Sequence, residues 1–214
     1  MMGFRSSIFH SVLFGGRPSG APPGSLDPVS DTFTDTNSTL LSAHTPDDGG
    51  PWVNNAGDFV VFGNRALPST DGLDHISTID TGGTDLTATV DVHVANNARF
   101  AGGIVFRFVD TSNYWLLRIQ RDGSSPAQVR LIEMTGGSET VRDTHDDESM
   151  GGTTVEIQVV VSGSSIIGKL NGSTVVSYNS ATHASATKQG LENYYTTGDF
   201  GYIRHEFDNF EVTT

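Results

Sequence analysis

TVEIQVVVSGSSIIGKLNGSTVVSY, residues 154 to 178, is the stretch on which the fold class turns. In its first part Val155, Ile157, Val159 and Val161 alternate with Glu156, Gln158 and Val160. Successive strand side chains point to opposite faces, so this two-residue period predicts a half-buried strand with the first four residues inward. A short Gly-Ser-Ser turn leads to a second apolar run, and Asn171-Gly172 separates that run from a third. Asn-Gly best tolerates the positive φ angles of a tight hairpin, so the stretch reads as an antiparallel meander.

The same period recurs upstream. DLTATVDVHVA (85 to 95) places Leu86, Ala88, Val90, Val92 and Val94 on one face, with Thr87, Thr89, Asp91 and His93 on the other. Asp122-Gly123 marks another hairpin. GDFVVFG, HISTID, FAGGIVFRFV, NYWLLRIQR, AQVRLIEMT, GDFGYI and HEFDNFEVT are further strand candidates, and 25 glycines punctuate them. No stretch after residue 30 sustains a helical period. The expected class is all-β: a two-sheet antiparallel sandwich, because strands of this number need two packed layers.

Composition narrows the function. A chain of 214 residues, 36% hydrophobic, supports one sizeable core or two small ones. No apolar run approaches the roughly 18 residues that span a bilayer. A formal net charge of -13 repels phosphate backbones and anionic lipid, so neither nucleic acid nor membrane is an expected partner. The absence of cysteine removes disulfides, thiolate metal sites and thiol nucleophiles together.

Three segments give the chain a family resemblance. AGGIVFRFVDTSNYWLLRIQ (101 to 120), the meander at 154 to 178, and the pairing of DTFTDTNSTLLSAHTPDDGGPW with GYIRHEFDNFEV resemble the concanavalin A-like lectin/glucanase superfamily, in its laminin G-like branch. The resemblance covers roughly residues 31 to 214 and implies a jelly roll of two curved antiparallel sheets. It implies no single activity, since lectins, glycanases, adhesion modules and structural shells share the fold. It also implies that a structural calcium ion is possible, although no ligand carries over residue by residue.

Catalytic signals are sparse. The related glucanases carry Glu-x-Asp-x-x-Glu on a strand, and this chain does not. The acidic run His145-Asp146-Asp147-Glu148 reads as a solvated loop. Nucleophile-elbow, zinc-protease and phosphate-loop motifs are absent. The histidines at 10, 44, 75, 93, 145, 183 and 205 show no ligand spacing, and Asp27, Asp31 and Asp35 recur every fourth residue without converging by spacing alone. The Asn37 and Asn171 sequons read as turns. By parity with Leu117 and Ile119, Trp115 belongs in the core, while the family resemblance implies that Trp52, in a loop after Gly49-Gly50-Pro51, packs against the sandwich edge.

Alternation places Asp91, His93, Arg107, Tyr114, Arg118, Gln120, Glu156 and Gln158 on outward faces. Read as one sheet surface, they would hydrogen-bond sugar hydroxyls while the aromatic stacks on a pyranose, so the expected ligand is a cell-surface glycan. Phe4, Ile8, Phe9, Val12, Leu13 and Phe14 form an apolar arm, and RPSGAPPGSLDP a stiffened spacer. His10, Ser11 and Gly15-Gly16 interrupt the run that a signal peptide would need. The expected division is an extended N-terminal docking arm and spacer at 1–26 and a sandwich at 27–214. That layout resembles tailed-phage virion appendages or decoration proteins: non-enzymatic, multi-copy, anchored to other virion proteins through the arm, and located on the virion surface. The alternatives are a secreted glycoside hydrolase or lyase of the same fold and a free extracellular carbohydrate-binding module.

Overall fold

The structure, a computed structural model, describes residues 27–70, 74–94, 99–123, 125–194 and 205–213. The arm residues and the candidate strand GDFGYI lie outside them. The strands in chain order begin with β1 (Val29–Asp31), β2 (Thr39–Leu40), β3 (Val53–Ala56), β4 (Phe59–Val61), β5 (Ala66–Pro68) and β6 (His75–Asp80). Next come β7 (Leu86–His93), β8 (Arg99–Asp110), β9 (Asn113–Asp122), β10 (Ala127–Thr135) and β11 (Ser138–Asp147). The last are β12 (Thr154–Ser162), β13 (Ser165–Leu170), β14 (Ser173–Asn179), β15 (Lys188–Asn193) and β16 (Glu206–Thr213). A three-residue 3-10 turn, Leu41–Ala43, is the one helical element among the described residues.

Two antiparallel sheets face each other. The nine-stranded sheet runs β14-β13-β12-β7-β16-β5-β4-β2 with β1 added on β16, and the seven-stranded sheet runs β11-β10-β9-β8-β15-β6-β3. The expected alternation sets the core: Val90, Val92, Ile157 and Val159 meet Ile104, Phe106, Trp115 and Leu117 across the interface, all fully buried. Each such side chain contributes about 1.5–3 kcal/mol by leaving water. Asn171 and Gly172 take φ of 48° and 78°, as a tight β13–β14 hairpin requires. Trp115 lies in the core as expected, its indole N–H donating to the Thr182 carbonyl at 3.1 Å.

Two local expectations are corrected. His145, Asp146 and Asp147 belong to β11, an edge strand rather than a loop. Its face carries no apolar alternation because both its sides meet water, and charged side chains guard the free edge. On that edge Asp143 accepts the Ser177 N–H of β14 at 2.8 Å, which closes one side of the sandwich. The second correction is KQGLEN, which gave no strand signal yet forms β15 between β6 and β8. There Gly190 passes so close to the β6 backbone that a Cβ would collide with Ser77.

The N-terminal strand is locked by a buried ionic hub. The Asp31 carboxylate, fully buried, accepts the Phe33 N–H at 2.7 Å, the Trp52 indole N–H at 2.7 Å and His44 Nε2 at 3.0 Å. His44 Nδ1 meets Asp35 at 2.9 Å, so the histidine bridges two aspartates that spacing alone would not bring together. Trp52 is core rather than edge, packed between Phe33 and Phe210. Burial works against the His44 imidazolium, but hydrogen bonds and charge from Asp35 and Asp31 prevail and raise its pKa; His44 in turn lowers that of Asp35. The His44 contribution is therefore complete below its ordinary value of 6.5 and fades as pH rises through the raised value.

His205 has the opposite sign. It is fully buried against Phe100 and Phe207, and burial pushes its pKa down to about 4. Between its ordinary value of 6.5 and about 4 the unfolded chain takes up a proton that the folded chain refuses, so this group withdraws stability on acidification. The expected loss across that window is about 3 kcal/mol. Urea unfolding from pH 7 to pH 4 checks it: His205→Gln should flatten the acid limb, and an unchanged slope would assign the loss to other groups.

Candidate functional site

The structure divides the eight outward residues between two sheets. Asp91 and His93 on β7 and Glu156 and Gln158 on β12 occupy the outer face of the nine-stranded sheet. There Asp91 lies opposite both Glu156 and Asp208 and accepts the Asn209 side-chain amide at 2.9 Å. His93 pairs with the Thr154 hydroxyl, and Gln158 donates to Thr89. Among the described residues no three His, Asp or Glu side chains are gathered to hold a metal ion.

Arg107 is corrected more sharply. The β8 register with β9 shifts between Phe106 and Asp110, and Arg107 adopts a left-handed φ of 48° there. A bulge breaks parity counting, so the side chain points to no open face. Its guanidinium is buried and donates to the Ser180 carbonyl at 2.8 Å and to the Gly163 carbonyl, while the Arg107 backbone N–H donates to the Gln189 side-chain oxygen at 3.0 Å. Burial lowers its pKa, offset in part by Asp85. Arg107 staples turns and contacts no ligand surface.

Tyr114, Arg118 and Gln120 share the outer face of the seven-stranded sheet. A second apolar cluster of Ile76, Val105, Phe108, Tyr114, Leu116 and Ile132 lies on that face, opposite the core. Tyr114 is only 5% exposed, and burial raises its pKa, so it is not the expected open stacking ring.

The polar centre of this face follows from strand register. Arg118 on β9 is opposite Gly103 on β8, which is opposite Glu192 on β15. With no side chain at Gly103, the guanidinium crosses β8 and donates to Glu192 at 2.7 Å. A Cβ at Gly103 would collide with the Leu117–Arg118 backbone. The other terminal nitrogen donates to Glu139 of β11 at 3.0 Å, and the guanidinium lies 4.4 Å from the centre of the Tyr194 ring. Arg118 and Glu192 side chains are 3% and 2% exposed, whereas Glu139 is 33% exposed and Tyr194 half-buried. Two carboxylates outweigh the burial of Arg118 and hold it charged; burial pushes the Glu192 carboxyl up against the pull of Arg118. Arg118 Nε and the second Glu192 oxygen are buried with no hydrogen-bond partner among the described residues.

Sequence reading missed Glu192, Glu139, Tyr194 and Gly103. The one signal for Gly103 was the Gly pair inside the β8 apolar run, since glycine within a strand marks a close approach. The other three lie on or next to strands whose composition hid them.

The chain is an all-β sandwich of two antiparallel sheets, consistent with the concanavalin A-like fold. The sequence matches no protein-family model and no curated protein. Among solved structures it is similar to the carbohydrate binding module CBM66 from Bacillus subtilis, with a TM-score of 0.60 and 17% identity over 76% of this chain and 95% of that one. It is similar also to a Bacillus licheniformis β-glucanase, with a TM-score of 0.59 and 9% identity over 88% and 98% of the two chains. A laminarinase from a Flavobacterium species aligns with a TM-score of 0.58 and 10% identity over 86% and 98%.

The Arg118 clamp gives a direct expectation. Arg118→Ala strands the buried Glu192 carboxylate and should cost about 3–5 kcal/mol. Replacing both partners, Arg118→Met with Glu192→Leu, should recover most of that. Chemical denaturation of Arg118→Met, Glu192→Leu and the double variant measures the coupling, and additive losses would show that the pair does not act as a unit.

Proposed function

We propose that this chain is a non-catalytic glycan-binding sandwich whose ligand face is the outer surface of the seven-stranded sheet. The observation that carries this reading is the clamp of Arg118 between Glu192 and Glu139, which fixes the half-buried Tyr194 ring with one face on the guanidinium. A rigid aromatic with an apolar body and polar tip can stack on the C–H face of a sugar at little entropic cost, while Glu139 and Gln120 at the rim offer hydrogen bonds to hydroxyls. The names of the structural neighbours support the same ligand class: one is a carbohydrate-binding module and another a β-glucanase.

The non-catalytic part rests on geometry. A retaining glycosidase needs two carboxylates about 5–5.5 Å apart, one free to lend a proton and one to attack. Here Glu192 and Glu139 are both committed to Arg118. One observation favours a hydrolase or lyase instead: burial pushes the Glu192 carboxyl up, the direction a general acid requires. Reducing-sugar release, lost in Glu192→Gln, would establish that alternative.

Binding is tested on a glycan array with calorimetry on the hits. Tyr194→Ala and Glu139→Ala should each weaken capture roughly tenfold or more, as loss of a stacked ring or a charged hydrogen bond does. Asp91→Ala and Glu156→Ala, on the opposite sheet, should leave it unchanged. Equal capture by all four variants would place the ligand elsewhere.

The finer reading is display. The apolar arm residues Phe4, Ile8, Phe9, Val12, Leu13 and Phe14 and the Pro/Gly spacer support anchoring to a large assembly such as a tailed-phage virion, where many copies multiply weak affinity. Size-exclusion chromatography with light scattering compares the full chain with a form starting at Asp27. Assembly or particle co-sedimentation by the full chain alone is expected; identical monomers that bind no particles would remove the virion role.

A further inference from the structure

Resting on the display reading above, we infer that the arm docks on a second copy of this chain, on an apolar patch formed by Leu40, Val60, Phe62 and Leu67. The patch is built by register. Leu40 of β2 is opposite Val60 of β4, which is opposite Leu67 of β5. Directly opposite residues share a face, and Phe59, Val61 and Ala66 take the inward one, so these three point outward together. Phe62 follows on the same side two residues after Val60, where Gly63 and Asn64, both at φ 59°, turn the chain into β5. Leu40 is 46% and Phe62 55% exposed, two of the five exposed large apolar side chains among the described residues. β2 ends the sheet, so the patch opens at a free edge. Apolar side chains gathered this way mark a contact surface.

Charge says what covers it. The first 26 residues hold Arg5 and Arg17 and no acid, so all 25 acidic residues lie in 27–214, with only ten basic ones. On the outer face beside the patch, Glu206, Asp208 and Glu211 of β16, with Asp91 and Glu156 beyond them, stand against Arg65 and Lys169. Arg65 is already paired with Glu206 at 2.5 Å. The patch therefore suits a segment that is both apolar and basic. The arm is such a segment: Phe4, Ile8, Phe9, Val12, Leu13 and Phe14 lie between Met1 and the spacer together with Arg5, and Arg17 opens the spacer.

Chain direction says which copy. β1 runs antiparallel to β16, with Val29 opposite Val212 and Asp31 opposite Phe210, while β5 meets β16 at Phe207. The chain thus enters the sheet heading toward the patch. Asp27, whose N–H donates to the Thr81 carbonyl at 2.8 Å, stands at the far end. From Val212 to Phe207 along β16 is about 17 Å. An arm that precedes Asp27 sets out away from its own patch. Returning to it requires a reversal within a spacer that holds Pro18, Pro22 and Pro23, and proline stiffens a linker. A neighbouring copy offers the same patch without that reversal. The contact is heterologous, so it repeats from copy to copy and closes into a ring or continues as a filament.

The absence of cysteine makes the test clean. Ser11→Cys, inside the arm, and Leu40→Cys, on the patch, are placed in separate full-length chains, mixed and oxidised. A reducible dimer joining the two sites should form roughly tenfold faster than one between Ser11→Cys and Val53→Cys, an exposed position on the other sheet. Adding Phe62→Asp to the Leu40→Cys chain, checked for folding by its thermal transition, should slow it several-fold. So should raising salt from 50 mM to 500 mM, by screening the basic arm from the acidic sandwich. Equal rates at Leu40 and Val53, or insensitivity to Phe62→Asp, would overturn the patch while particle co-sedimentation by the full chain kept the display reading intact. A chain carrying both Ser11→Cys and Leu40→Cys that closes only on itself would overturn the second copy as the occupant. Full chains that neither cross-link nor bind particles would overturn the display reading, and this inference with it.

Discussion

A strand can give only every second side chain to a shared core, and this chain spends that half on one interface between two sheets. Val90, Val92, Ile157 and Val159 on one side and Ile104, Phe106, Trp115 and Leu117 on the other leave water together. A one-residue slip in any central strand would turn its apolar set to solvent, so burial pins the register. Register in turn decides which outward residues become neighbours. Arg118, Gly103 and Glu192 are aligned only because β9, β8 and β15 are each held in place from beneath.

Buried charge is the second theme. Without disulfides, the chain still buries Asp31 and Glu192 almost completely, and each is tolerable because the fold supplies donors. Asp31 collects a backbone N–H, an indole N–H and a histidine, tying the first strand to the core tryptophan. Glu192 collects one guanidinium and keeps an unpaired oxygen. The difference is informative: a structural hub is satisfied from within, while the outer-face cluster retains unused hydrogen-bonding capacity. Arg107 stands between the two, since its terminal nitrogens bind carbonyls that end two turns while its Nε is buried without a hydrogen-bond partner among the described residues.

The outer-face cluster proposed as the ligand face is built from stiff parts. Tyr194 is fixed by Arg118, Arg118 by two carboxylates, and those carboxylates by central and edge strands of one sheet. A ring held this way loses little freedom on meeting a ligand, which favours binding without large contact area. Weak individual contacts of this sort gain strength from copy number, which connects the site to the proposed display on an assembly.

The alternation in DLTATVDVHVA and TVEIQVVVSG and the Asn-Gly turn were legible because they depend on local rules: side-chain period and permitted φ. They determined the all-β class, the inward residues of β7 and β12, and Trp115 as core. Strands β11 and β15 were not legible. The first is polar on both faces as an edge, and the second is a central strand with one large apolar residue, Leu191, whose neighbours rather than its own composition make it a strand. Parity assigned Arg118 and Gln120 to the correct face but failed at Arg107, where a bulge resets the count. It could not say that Asp91 and Glu156 lie on a different sheet from Tyr114 and Arg118, because sheet membership is a pairing between distant segments. By itself the sequence determined what the regularly alternating strands, β7 and β12 above all, bury; only the tertiary structure decided which outward residues meet, since Arg118, Glu139 and Glu192 are joined by hydrogen-bond register across strands far apart in the chain.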